Sequence, residues 1–221
     1  MIEDQFLTDG MALIDKGGPV MYVLLGVSVI ALAIFLVKVY QFTRCRLRWT
    51  AFIVPVLETI HRGDAREALA ALSVNPNPVA RVMEAAILSS RNPQMKAADR
   101  DAEISRVGTA EIRNLESFLR GLEVIANLSP LLGLLGTVMG MIGAFAQLEG
   151  AGTKVDPALL AGGIWEALLT TAFGLSVAIP ALAAYYILEG QVDNVRANMK
   201  DAATRVLGAY GQGPMASGGA R

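Results

Sequence analysis

The chain has 221 residues, 53% of them hydrophobic and 18% charged, and a net charge of −1. A mean hydropathy of +0.46 exceeds what soluble domains usually carry, and the near-neutral balance leaves no basic footprint for nucleic acid. A single cysteine, Cys45, and a single histidine, His61, exclude an internal disulfide, a structural zinc cluster and most His-based metal or triad chemistry.

The first charge-free run covers residues 20–37, VMYVLLGVSVIALAIFLV, long enough to cross about 30 Å of hydrocarbon. Glu3, Asp4, Asp9 and Asp15 precede it with one Lys16, so it reads as an uncleaved span and not as a secretory signal. Lys38, Arg44, Arg46 and Arg48 follow it at once. By the positive-inside rule residues 1–18 then lie outside, 19–41 form the first span, and the chain continues in the cytoplasm.

Residues 42–122 are too many for a loop and suit a small helical region. A first helix is expected between Trp49 and Arg62, with Pro55 inside it. A second starts at Asp64, a capping residue with Glu67 three positions on. The run NPNP at residues 75–78 interrupts helix, and helix resumes from Pro78 to Ser90. From Ala97 a long helix is expected. Ile104, Val107, Ile112, Leu115, Leu119 and Leu122 recur at three to five residues as one apolar stripe. No breaker residue separates that stripe from the next apolar run, which predicts one continuous helix entering the membrane.

The second span is expected over residues 123–148, from the run VIANLSPLLGLLGTVMGMIGAFAQL, followed by a short external loop at 149–157. Residues 158–188 form the third span, with Glu166 its only carboxylate, and Arg196, Lys200 and Arg205 follow on the cytoplasmic side. The third helix is long enough to overshoot the bilayer, so two long helices are expected to build a cytoplasmic bundle. Residues 189–221 form a cytoplasmic tail whose end, GQGPMASGGAR, has little to bury and is expected to be disordered. Pro130 and Pro180 are expected to kink or loosen their helices.

Glu166 carries most of the functional information. A carboxylate inside a span costs about 2.5–3.5 kcal/mol on insertion scales, so it must face protein or a water-filled cavity. Glu166, Thr170, Gly174, Ala178 and Ala181 fall at spacings of three and four, with Thr171 beside them. On the second span Gly133, Thr137, Gly140 and Ala144 share a face. Small residues allow close helix packing by themselves. A hydroxyl at Thr137, at a depth comparable with Glu166 and Thr171, asks for more. GLLGTVMGMIG lacks the Gly-Lys-Ser/Thr ending and the preceding strand of a phosphate loop.

The stretches SPLLGLLGTVMGMIGAF (129–145) and GGIWEALLTTAFGLSVAIPALAAYY (162–186), in this order and topology, resemble the ExbB/TolQ/MotA proton-channel family, with ExbB nearest and TolQ second. Three spans set the chain apart from the four-span flagellar stators. Trp165 and Met139 depart from the residues commonest at their positions, which leaves the branch open. The resemblance implies an all-α membrane protein forming a homopentameric ring in the bacterial inner membrane. It implies a proton pathway past Glu166, Thr137 and Thr171, with Gly133, Gly140, Thr170, Gly174 and Ala178 facing the passage. It also implies an ExbD- or TolR-like single-span partner bearing an aspartate, and a TonB- or TolA-like protein that carries the work onward. No cofactor, metal or enzymatic activity is expected, and sodium in place of protons stays open. The rival readings are a non-conducting membrane scaffold, a small solute carrier and a membrane enzyme. The chain shows neither the internal repeats of a carrier nor a catalytic residue set.

Overall fold

A computed structural model of the chain describes residues 18–150 and 157–211. The expected external N-terminal segment before Gly18, residues 151–156 of the external loop and the Gly-rich end of the tail lie outside the described residues. The described residues form α1 (Gly18–Arg44), α2 (Ile53–His61), α3 (Ala65–Ser73), α4 (Pro78–Arg91), α5 (Ala97–Glu116), α6 (Leu119–Gly150) and α7 (Pro157–Gly211), with no strand among them. Three of these helices, α1, α6 and α7, are long and apolar enough to cross a membrane. They contain the three apolar runs, the third with Glu166 inside it, and Pro130 and Pro180 both lie within helix.

The chain divides into two compact units. One comprises α1 as far as Val37, α6, and α7 as far as Tyr186. On α1, Met21, Leu24 and Ala31 are buried, while Val29, Ile30 and Leu32 are exposed. Exposed leucine and isoleucine continue along α6 at Leu131, Leu134 and Ile142, and along α7 at Leu168, Leu175 and Ile179. So much contiguous apolar surface belongs against lipid or another protein, not water.

The other unit runs from Lys38 to Ser117 and resumes at Ile187. Its helix starts follow the local chemistry. The Asp64 carboxylate accepts a hydrogen bond from the Glu67 amide at 3.2 Å, capping α3. Asn77 is fully buried and accepts from the Val79 amide at 2.9 Å, while Pro78 takes the first position of α4, where its missing N–H costs nothing. Val79, Val82, Met83, Ala86 and Ile87 of α4 are almost wholly buried, and α4 packs against α5 and α3. Leu188, Val192, Val195, Met199, Ala202 and Val206 of α7 are also buried. Their alternating spacing of three and four gives the helix one apolar stripe for this core.

The expected continuous helix from the cytoplasm into the second span is not formed. α5 ends at Glu116 and α6 begins at Leu119, with Ser117 extended at ψ 136° and Phe118 left-handed at φ 63°. The cause is the way the last carbonyls of α5 are used. Lys38, with no exposed surface, donates from Nζ to the Leu115 carbonyl at 2.9 Å, to Ser117 Oγ at 3.2 Å and to Gln41 Oε1 at 2.8 Å. The Ser117 hydroxyl in turn donates to the Asn114 carbonyl at 2.7 Å. A continuing helix would offer those carbonyls the amides of residues 118 and 119. Here side chains satisfy them, as at a helix C-terminus, and a cation is favourable at that end.

Candidate functional site

α6 and α7 meet along their small-residue faces. Ser129, Gly133, Gly136 and Ala144 on α6 are buried, as are Ala167, Thr170, Gly174, Ala178 and Ala181 on α7. The backbones approach so closely that a methyl group has no room at several positions. A Cβ built on Gly174 would lie 2.6 Å from the Ser129 carbonyl oxygen. One on Gly136 would lie 2.5 Å from Thr170 Oγ1, and one on Gly163 would lie 2.5 Å from Ala144 Cβ. Gly133 and Gly140 are less tight, at 3.0 Å from Thr170 O and from Ala167 Cβ. Gly133, Gly140, Thr170, Gly174 and Ala178, expected to face a passage, lie in or beside this seam. In the single chain they meet a partner helix and not an open face. The physical reason is the one small-residue stripes always supply, close van der Waals packing where lipid gives no hydrophobic drive.

Hydroxyls stitch the seam to the backbone. Thr170 Oγ1, buried, donates to the Ala167 carbonyl at 2.7 Å and lies 3.4 Å from the Gly133 carbonyl. Thr171 Oγ1 donates to that same Gly133 oxygen at 3.0 Å. Thr137 is half-buried and donates within its own helix to the Leu134 carbonyl at 2.7 Å. Ser129, fully buried, donates to the Ile125 carbonyl at 2.7 Å. Sequence reasoning passed over Ser129 and Gly163. The signal available for Ser129 was its hydroxyl in an otherwise apolar run.

Glu166 is placed differently. It is exposed in the single chain, next to Trp165, which is 61% exposed. At about 100° per residue the buried residues of α7 fall in one arc of roughly 80°, with Glu166 beyond one edge and Thr171 beyond the other. On α6 the same geometry puts Thr137 beside the arc of Ser129, Gly133, Gly136 and Ala144. The two helices run antiparallel, so Thr137 falls on the Thr171 side. One chain therefore brings Thr137 and Thr171 to one edge of the seam and leaves Glu166 at the other. Among the described residues no group of three or more His, Cys, Asp or Glu side chains could hold a metal ion.

Glu166 is thus a carboxylate on a span-length helix that its own chain leaves uncovered. The sequence model of the MotA/TolQ/ExbB proton channel family matches residues 74–201, a stretch holding Thr137, Glu166, Thr171 and the whole seam. A protein of Methanothermobacter thermautotrophicus named as a putative biopolymer transport protein ExbB homolog is 31% identical over 180 residues, 81% of this chain and 62% of that protein. The ExbB-like 3 protein of Synechocystis is 34% identical over 170 residues, 75% of this chain and 78% of its own. The Tol-Pal system protein TolQ of Haemophilus influenzae is 40% identical over 109 residues, 47% of each chain.

Proposed function

We propose that this chain, which belongs to the MotA/TolQ/ExbB proton channel family, is the proton-conducting subunit of an inner-membrane motor driven by the proton-motive force. The observation that carries the reading is Glu166, a carboxylate exposed on α7 amid Trp165, Leu168 and Leu175, all exposed and apolar. Left against lipid it would cost about 2.5–3.5 kcal/mol, so its cover comes from outside the chain. Neighbouring copies in a ring and a single-span partner of the ExbD or TolR kind supply that cover. Since Glu166 and the two threonines flank opposite edges of the seam, a path through all three runs between chains. Rotational symmetry brings one edge of a copy toward the opposite edge of the next. Transfer of a proton to Glu166 removes one unit of charge from the ring. The drive is about 2.3 kcal/mol per charge per 100 mV of membrane potential, and movement of the ring against its partner follows without covalent chemistry.

The ExbB branch, energising TonB-dependent transport across the outer membrane, is favoured by the naming of two of the relatives. The alternative is the Tol-Pal branch, favoured by the TolQ match. The test is proton flux into proteoliposomes holding this chain with its single-span partner under an imposed potential. Glu166→Gln keeps size and hydrogen bonding but cannot titrate. Flux should fall to the background of empty vesicles while the complex elutes at the wild-type size. Wild-type flux in that variant would leave a non-conducting scaffold as the better reading.

A further inference from the structure

We propose that residues 44–49, the turn that ends α1, form a binding site for the phosphate of an anionic phospholipid in the leaflet next to that end of the span. These residues lie outside the stretch that the family model matches. The inference rests on α1 crossing a membrane and not on proton conduction.

The turn is a built structure. The Arg46 amide donates to the Thr43 carbonyl at 3.2 Å and the Leu47 amide to the Phe42 carbonyl at 3.4 Å. This pair of bonds closes a helix in the Schellman manner and calls for a left-handed residue between them, usually glycine. Here that residue is Arg46, at φ 47°. The buried Asn77 side chain then locks the turn from below. Its Nδ2 donates to the Arg46 carbonyl at 3.0 Å and to the Trp49 carbonyl at 3.1 Å, while Phe42 and Leu47 are buried beneath it. An arginine held where the backbone would prefer glycine needs a reason other than folding.

The turn presents that reason outward. Arg44, Arg46 and Arg48 are all exposed, and none has a carboxylate within ion-pair distance among the described residues. No acidic residue occurs between Asp15 and Glu58. The Arg46 guanidinium lies 5.7 Å from the Trp49 ring centre, and Trp49 is 47% exposed. Three guanidiniums without an ion pair and an indole, fixed at the end of a span-length apolar helix, match a lipid phosphate and the headgroup boundary together. Each basic side chain near an anionic membrane surface strengthens binding to it by roughly fivefold.

Trp49 reports on the site directly. With Trp165→Phe in place it is the remaining tryptophan. The full chain, with its partner, is placed in phosphatidylcholine nanodiscs containing a minor fraction of brominated phosphatidylglycerol or of brominated phosphatidylcholine. The anionic phosphatidylglycerol should quench Trp49 severalfold more than phosphatidylcholine at equal mole fraction. Arg46→Gly, which suits the left-handed turn, should keep the melting temperature and cut the excess about fivefold. The Arg44→Gln, Arg48→Gln double variant should cut it further. Equal quenching by the two lipids, or an excess unchanged in both variants, would overturn the proposal. So would an excess erased by inorganic phosphate at matched ionic strength, which would mark a free-anion site. Quenching by neither lipid would remove the turn from the membrane surface altogether, whatever the proton flux shows.

Discussion

Gly174 has the Ser129 carbonyl oxygen 2.6 Å from where its Cβ would stand, with the Gly133 backbone close behind. Backbone atoms cannot rotate away, so Gly174→Ala must separate the helices and should lower stability by about 1–3 kcal/mol. Gly143, with nothing within 4 Å of its Cβ position, is the control. Gly143→Ala should leave the midpoint of thermal unfolding in detergent where it is or raise it slightly, since alanine favours helix. A midpoint that Gly174→Ala holds or raises, as Gly143→Ala does, would mean that helix propensity and not the close approach governs. The stripes containing these glycines were legible from spacing alone. What they face was not, because a small-residue stripe fits a helix partner and a water-filled passage equally well. Glu166 could be picked out for the same reason in reverse, since a carboxylate in a charge-free run has few structural explanations.

At the level of elements, the three span-length apolar helices, the Asp64 cap and the NPNP interruption all followed from local signals, and all are present. The break between α5 and α6 did not follow from local signals. Ser117–Phe118 contains neither glycine nor proline, and Phe118 takes a left-handed backbone uncommon for a bulky residue. The determinant is Lys38, whose acceptors on Leu115 and Ser117 lie 77 and 79 positions away. No window of sequence contains both partners. Lys38→Met keeps the aliphatic stem but leaves the Leu115 carbonyl and the Ser117 hydroxyl without their donor. The expected loss is about 1–3 kcal/mol of stability, read as a lower urea midpoint in detergent. Lys38→Arg should recover part of it. An unchanged midpoint in Lys38→Met would mean that the break is held by the Ser117 hydroxyl and the Phe118 backbone without the ammonium.

For the whole molecule, the surface is the main clue. Only 17% of the most apolar stretch is buried in α1 and in α6, and 28% in α7. A single chain thus leaves most of its membrane-type surface for lipid or for other chains. The polar groups divide in the same way, with Thr137 and Thr171 at one edge of the α6–α7 seam and Glu166 at the other. On the proposed function, another copy of this chain covers Glu166, with its threonine edge turned toward the carboxylate. Cysteines test it in membranes, in a Cys45→Ser background that removes the native thiol. Chains carrying Glu166→Cys and chains carrying Thr137→Cys are co-expressed with different affinity tags and treated with a short thiol-to-thiol reagent. The expected product is a covalent dimer joining the two tags, with little internal cross-link when both cysteines sit in one chain. Cross-linking confined to the doubly substituted single chain, with no mixed dimer, would contradict it.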